Sequence, residues 1–317
     1  MVDVRVQPVV VVVGDVMVDI VVRPLGPFNR GSDTASRIVA APGGSATNQA
    51  VALAAAGAQV HLVAAVGDDE LGRAATRALT SAGVQPHLQV SPDRPTGVVV
   101  ALIDDVGERS MFSDRGANLS LDVQALDPAI FLAGAHLHLS GYELLDDATR
   151  PTGLAALELA AAAGMTRSVD PCSAGPLVAV GPEAFLSWTT GVELCCANLD
   201  EGQVLTGTTK PEEVLSGLRR HYEQVALTLG ALGALFSGPG LDFLHCPADA
   251  VNVADTTGAG DAFTGTFLAR RLAGDSPEHA LRAGLAAAAR VIAALGARSW
   301  TYRGAVIPDV PETYGRD

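Results

Sequence analysis

The sequence predicts a doubly wound α/β fold, with a mostly parallel central sheet and helices on both faces. Three observations predict it. Residues 9–13 are an unbroken valine run, the pattern of a strand buried on both faces. From residue 135 onward strand-like and helical stretches alternate without an internal repeat or a long linker, as parallel strands joined by helices require. Residues 252–267 pass from a short β-type run through Gly258-Ala259-Gly260 into a helix opening at Asp261, where Phe263, Phe267 and Leu268 recur at helical spacing.

Taken in order, the first strand ends at Gly14-Asp15 without the Gly-x-Gly-x-x-Gly of a dinucleotide-binding turn, which argues against a nicotinamide dehydrogenase. An alternating segment through Asp19 to Val22 follows, and residues 23–40, with Pro24, Pro27 and Gly31, read as loop and short strands. Pro42-Gly43-Gly44 leads through Asn48 into an Ala/Leu helix ending near Gly57. Residues 95–113 alternate as strands around a turn at 104–107. Then come a strand over 135–139, a helix over 148–163, strands ending near Asp170 and Cys196, a helix over 211–223, a strand over 225–229 and a last helix over 278–295.

The 317 residues suit one large α/β domain, 48% apolar but only 4% aromatic, so the core must be Val, Leu and Ala. A net charge of −14 argues against nucleic acid or an anionic membrane as partner. Cys172, Cys195, Cys196 and Cys246 form no Cys-x-x-Cys pair and have no histidines at zinc spacing, so a reduced, cytoplasmic protein is the expectation. The valine-rich start lacks a basic leader and is interrupted by Asp15 and Asp19. No apolar stretch reaches the ~18–20 residues of a membrane span. Lys210 is the only lysine and lies in a polar turn before Pro211, which excludes a Walker A loop and the lysine strand of protein kinases.

The glycine turn before Asp261 leaves backbone N–H groups at a helix start, an anion site made without side chains. A carboxylate there repels a resting phosphate, so Asp261 fits proton chemistry beside the anion cradle; as a bare pattern it also fits a helix cap over a tight turn. Asp19 is either a solvent-facing strand residue or an acid with a polar partner. Asn48 offers a polyol both a donor and an acceptor, or serves a loop. Asn198-Leu199-Asp200-Glu201 follows a strand and reads as a helix N-cap with first-turn acids, or as a ligand site at a strand end.

Residues 255–265, Asp-Thr-Thr-Gly-Ala-Gly-Asp-Ala-Phe-Thr-Gly, closely resemble the C-terminal signature of the ribokinase-like (PfkB) carbohydrate kinases. Gly43, Gly44 and Asn48 resemble that family's Gly-Gly-x-x-x-Asn motif, residues 60–72 its N-terminal signature, Asn198 and Glu201 its Asn-x-x-Glu, and Thr228-Leu-Gly230-Ala-Leu-Gly233 its Thr-x-Gly-x-x-Gly. The resemblance spans about residues 9–300.

It implies an ATP-dependent phosphotransferase that moves the γ-phosphoryl group to a hydroxymethyl oxygen of a small sugar. Asp261 would be the general base, with the N–H groups of Gly258, Ala259, Gly260 and Asp261 as anion hole. Asp19, Gly43, Gly44 and Asn48 would hold the acceptor; Asn198, Glu201, Thr228, Gly230 and Gly233 would serve ATP and its Mg²⁺, with Glu201 nearest the metal. A monovalent ion such as K⁺ is a further option at a site built on Asp255. The stretches at about 20–40 and 95–113 would form a small β-sheet lid over the sugar, a surface that also suits a homodimer. The segment Asp170-Pro-Cys-Ser-Ala-Gly175 lacks the Arg of the Asp-Pro-Asn-x-Arg run of fructokinases and ketodeoxygluconate kinases; without it a sugar acid has no evident counter-charge, which favours a neutral sugar or a nucleoside, with Tyr142 available to stack on a base. Arg115 and Asn118 could reach substrate. The alternatives are a nucleoside kinase of the same family and a catalytically silent, sugar-binding regulator.

Overall fold

The computed structural model describes residues 7–103, 109–251 and 257–293. Its strands are β1 (Val9–Val13), β2 (Met17–Pro24), β3 (Ser36–Gly43), β4 (Gln59–Gly67), β5 (Val84–Ser91), β6 (Gly97–Ile103), β7 (Arg109–Asp114), β8 (His136–Ser140), β9 (Thr166–Asp170), β10 (Leu194–Asn198), β11 (Gln224–Thr228), β12 (Ala234–Gly238) and β13 (Leu241–Cys246). Its helices are α1 (Ser45–Ala55), α2 (Glu70–Ser81), α3 (Tyr142–Leu145), α4 (Arg150–Ala162), α5 (Ala174–Val180), α6 (Pro182–Trp188), α7 (Leu199–Thr206), α8 (Pro211–Leu218), α9 (Ala259–Leu272) and α10 (Pro277–Ile292). None of the described helices is long and apolar enough to cross a membrane.

Nine strands form the central sheet in the order β13-β12-β11-β10-β9-β8-β1-β4-β5. Neighbours from β5 to β11 pair parallel, and β12 and β13 close one edge as an antiparallel hairpin. The valine run is the middle of this sheet. Val10 and Val12 face one apolar layer with Leu53 of α1 and Phe263 and Phe267 of α9; Val11 and Val13 face the other with Ala156 of α4, Leu205 of α7 and Leu215 of α8. Alternation sends successive side chains to opposite faces, and each buried Val contributes about 1.5–3 kcal/mol. Helices therefore cover both faces, as a doubly wound sheet requires.

A second sheet, ordered β3-β2-β6-β7, stands beside the first. β2 pairs antiparallel with β3 and parallel with β6, and β6 antiparallel with β7. Asp19 lies level with Ala41 of β3 and Val99 of β6, so these three share one face. The β6–β7 turn at residues 104–108 lies outside the described residues.

The central sheet also holds β5, β12 and β13, which the sequence pattern does not announce. β5 carries Pro86, which an edge strand tolerates because only one side needs ladder bonds. β13 sets Phe243 beside Leu244 and so breaks strict alternation, and its hairpin partner β12 is only five residues ending in Ser237-Gly238, too short to show a period. The helix expected over 211–223 stops at Leu218, whose carbonyl accepts from His221 and Tyr222 in a closing turn.

Candidate active site

β1 leads on to β4 and β5 on one side of the sheet, while β8 begins the run on the other side. The strand order thus reverses between β1 and β8, the crevice where open α/β sheets collect ligands. A cavity of about 710 Å³ opens there, lined among others by Asp15, Asp19, Asn48, Arg115, Asn198 and Asp261. The crevice is tight at its root: a Cβ on Gly14 would sit 2.4 Å from the Ala46 Cβ and 2.6 Å from the Ser140 Cβ.

Asp261 occupies the first turn of α9, after Gly258 in the left-handed conformation (φ 74°) that glycine adopts without strain. Helix geometry leaves the N–H groups of Ala259, Gly260 and Asp261 without intrahelical partners, and Gly258, Gly260 and Asp261 all border the cavity. The carboxylate meets α1. Ser45 Oγ donates to Asp261 Oδ1 at 2.7 Å, and Asn48 Nδ2 donates to Oδ2 at 2.9 Å. α1 and α9 come this close because Gly265 has no side chain; a Cβ there would lie 2.5 Å from the Gln49 carbonyl and 2.7 Å from the Ala52 Cβ. Burial pushes the Asp261 carboxyl up to about 7; the Asn48 and Ser45 hydrogen bonds oppose the rise and Asp170 adds to it.

On the side of the second sheet, Asp19 is buried yet lines the cavity. Gly43 makes room for it, since a Cβ on Gly43 would lie 2.2 Å from the Asp19 carboxylate. Gly44 has φ 96°, and a Cβ there would stand 2.9 Å from the Asp15 carbonyl. Asn48 is tied to Asp261 by its amide nitrogen, while its buried Oδ1 has no hydrogen-bond partner among the described residues. Asn118 does not reach the cavity: Val16 N donates to its Oδ1 at 2.9 Å, and its Nδ2 donates to the Val16 carbonyl at 2.9 Å. It braces the start of β2. Arg115 does line the cavity and is the only cation among the described lining residues. Its guanidinium lies 5.1 Å from the Tyr142 ring centre, and Nη2 is 3.6 Å from Glu143 Oε1.

Toward the other end, Asn198 and Glu201 form a reciprocal capping box at the start of α7: Glu201 N donates to Asn198 Oδ1 at 2.9 Å, and Asn198 N to Glu201 Oε2 at 2.9 Å. The helix-cap reading of this motif holds geometrically, and it aims Glu201 inward. A smaller cavity of about 90 Å³ is bordered by Asp170, Asn198, Glu201, Thr228, Gly260 and Asp261. Asn198 and Thr228 are level at the ends of β10 and β11. Burial, and then Asp170, raise Glu201 to about 8; burial raises Asp170 to about 6 against the hydrogen bond from Cys172 N. Gly230 has open space where a Cβ would go, whereas one on Gly233 would lie 2.1 Å from the Cys246 carbonyl. Gly233 thus has a packing role against the chain after β13. Asp255 lies outside the described residues.

Sequence reasoning missed Asp15, Ser45, Gln49 and Asp170 as members of this cluster. Asp15 Oδ1 accepts from Ala46 N at 2.9 Å and so secures the start of α1. Gln49 Nε2 donates to Asp170 Oδ2 at 2.7 Å and to Asp261 Oδ1 at 3.2 Å. A signal was present: Ser45, Asn48 and Gln49 sit at i, i+3 and i+4 of a helix that is apolar apart from these and Thr47, which places all three on one face.

Residues 7–302 match the family model described as pfkB family carbohydrate kinase. The chain belongs to the PfkB carbohydrate kinase family. It is 32% identical over 263 residues, 80% of either chain, to a 2-dehydro-3-deoxygluconokinase of Thermoproteus tenax. It is 31% identical over 274 residues to an ATP-dependent ribose-1-phosphate kinase of Halopiger xanaduensis, covering 86% of this chain and 87% of that one. Its fold matches the crystal structure of adenosine kinase from Sinorhizobium meliloti with a TM-score of 0.83 at 25% identity, covering 93% of this chain and 97% of that one. This PfkB protein is thus an ATP-dependent carbohydrate kinase. The three names carry three acceptors, a sugar acid, a sugar phosphate and a nucleoside, so what the relatives share is the phosphoryl-transfer reaction.

Proposed function

We propose that this PfkB kinase transfers the γ-phosphoryl group of ATP to a hydroxymethyl oxygen of a sugar bound between α1 and the four-stranded sheet. One observation carries the reading: Asp261 stands at the N-terminus of α9, borders the cavity, and is oriented through both oxygens by Ser45 and Asn48. A carboxyl raised toward neutrality is poised to take a proton from a hydroxyl. The N–H groups of Gly258, Ala259, Gly260 and Asp261 would stabilise the charge on the group in transfer. Asp19, given room by Gly43, would bind acceptor hydroxyls; Gly44, which leaves space beside the Asp15 carbonyl, and Asn48, which borders the same cavity, would hold the acceptor with it. Thr228 and Gly230 would meet ATP phosphates.

No three acids, histidines or cysteines converge at metal-ligating distance among the described residues. Asn198 and Glu201 at the start of α7 nevertheless border the smaller cavity, and a Glu there suits a hard cation. Glu201 and Asn198 would orient Mg²⁺ through its waters, and Mg²⁺ when bound would neutralise phosphate charge. K⁺ would sit beside Asp255. The four-stranded sheet would act as a lid that keeps water from the phosphoryl group. Its other face carries Ile20, Val22, Ile38, Val100, Leu102 and Phe112 in register, and a second copy of the chain would cover it.

Arg115 favours a second reading of the acceptor. The missing Arg of residues 170–175 points to a neutral sugar or nucleoside, yet Arg115 places a guanidinium in the cavity from another element. Burial holds Glu143 up at about 8, with Arg115 opposing, so this neighbour is largely protonated at neutral pH. An acceptor carrying a carboxylate or phosphate would pair with Arg115. Its position near the Tyr142 ring leaves less of that ring for a nucleobase.

The test is ATP consumption with Mg²⁺ and K⁺ over neutral sugars, sugar acids, sugar phosphates and nucleosides, with Asp261→Asn as blank. Loss of the base is expected to lower turnover about 10²–10⁴-fold while ATP still binds. Turnover by Asp261→Asn close to that of the wild type would remove Asp261 from the role of base.

A further inference from the structure

Two neighbouring central strands carry polar side chains on a face that should be apolar. On β8, His136, His138 and Ser140 alternate with Leu137 and Leu139; on β9, Thr166, Ser168 and Asp170 alternate with Arg167 and Val169. The register sets His136 beside Thr166, His138 beside Ser168 and Ser140 beside Asp170. His136, His138 and Ser168 are buried, and burying such groups is costly unless every one is hydrogen-bonded.

They are bonded, in one line. Thr166 Oγ1 is 2.7 Å from His136 Nδ1, and His136 Nε2 is 2.7 Å from Ser168 Oγ. Ser168 Oγ is 2.6 Å from His138 Nδ1, and His138 Nε2 is 2.8 Å from Gln49 Oε1. Gln49 Nε2 then donates one hydrogen to Asp170 Oδ2 at 2.7 Å and shares the other between Asp261 Oδ1 at 3.2 Å and Ser45 Oγ at 3.1 Å, the hydroxyl that itself donates to Asp261. The proton positions follow from the partners. Ionised carboxylates only accept, so the amide nitrogen of Gln49 must face them and its oxygen must face His138. His138 then donates through Nε2 and accepts at Nδ1 from the Ser168 hydroxyl. Ser168 in turn accepts from Nε2 of His136, whose Nδ1 accepts from Thr166. Every donor points toward the carboxylates. Both rings are held neutral by burial, His136 down at about 3 and His138 down at about 4, so neither reverses the direction at ordinary pH.

Resting on the kinase reading above, we propose that Thr166, His136, Ser168 and His138 form a one-directional hydrogen-bond chain that locks the Gln49 amide, making Gln49 and His138 positioning residues for the base Asp261. Donors aligned head to tail polarise one another, which strengthens the final bonds to both carboxylates. The chain orients and does not conduct: an amide passes a proton on only through its imidic acid form. Thr166, at the exposed end, starts the line from solvent.

Titration of the Asp261 side-chain carboxyl by ¹³C NMR in the full-length protein tests this, with Asp261→Asn identifying the resonance. The other titratable groups around Asp261 are Asp15, Tyr142, Asp170, Cys172 and Glu201, and all are retained in the variants. Gln49→Met removes the amide and is expected to move the Asp261 midpoint up by as much as about one unit, the size of one charge-assisted hydrogen bond. His138→Phe breaks the line and is expected to move it up by less. Should the phenyl ring disturb folding, Ser168→Ala breaks the same line without added volume. Long-range ¹H–¹⁵N spectra are expected to show both imidazoles neutral with the proton on Nε2. In assays the acid limb of kcat is expected to follow the NMR midpoint, with KM for ATP unchanged.

An Asp261 midpoint unmoved in Gln49→Met and in the chain-breaking variants overturns the proposal, as does a proton on Nδ1 of His138. Neither spectrum requires turnover. If Asp261→Asn proves fully active, the kinase role of Asp261 fails while the chain itself is still decided by the titration.

Discussion

Asn48 Nδ2 donates to Asp261 Oδ2 at 2.9 Å across 213 residues of sequence. One side chain therefore touches the proposed base with its nitrogen, while its buried oxygen has no hydrogen-bond partner among the described residues. Asp261 must be ionised to accept a proton, and its pKa is raised to about 7, so activity is expected to fall as pH drops below about 7. Asn48→Asp removes a donor and adds a like charge, both of which favour the protonated base. Its acid limb is expected at higher pH, with turnover at pH 7 at least about 10-fold lower. A pH–rate profile of the two proteins checks this, and coincident limbs would count against the pairing.

Gly43 and Asp19 make a second close approach: a Cβ added to Gly43 would stand 2.2 Å from the Asp19 carboxylate. Gly43→Ala must displace Asp19. Misplacing a binding group by about 1 Å costs up to roughly 10²-fold. Steady-state kinetics are expected to show acceptor KM raised about 10- to 100-fold and KM for ATP nearly unchanged. An unchanged acceptor KM would remove Asp19 from the acceptor site.

Glu143 is fully buried and its pKa is raised to about 8, chiefly by burial. An unfolded glutamate titrates near about 4.3. The folded state therefore binds the proton more tightly than the unfolded state, and stability is lost as pH rises from the lower value to the higher one. Gln at this position does not titrate. The Tm of Glu143→Gln minus that of wild type is expected to climb between pH 5 and about 8 and then level off. A difference independent of pH would contradict the shift.

Ile38 is 51% and Phe112 62% exposed on the outer face of the four-stranded sheet. Large apolar groups gathered on one surface mark an interaction site. Sedimentation is expected to give a dimer for the wild type and a monomer for Phe112→Glu. A monomeric wild type would leave that face without a second copy to cover it.

Much of the fold was legible because its signals are local. The valine run reads as a central strand, and strand–helix alternation reads as a parallel sheet. The edge hairpin of β12 and β13 was not legible, since β12 is only five residues long and β13 breaks alternation at Phe243-Leu244. In the site, the glycine turn and Asp261 were readable from one stretch. Asp170, His136 and His138 were not, because each is an ordinary residue until register and helix packing place it.

By itself the sequence determined the kinase family, the two-faced sheet and the glycine turn before Asp261. These depend on period, composition and contiguous motifs, which survive in one dimension. Only the tertiary structure decided what surrounds Asp261. Burial against α1 and the nearby Asp170 raise its pKa, and the polar line on β8 and β9 ends at Gln49. Such contacts join residues far apart in the chain, and their strength comes from the desolvated interior that folding creates.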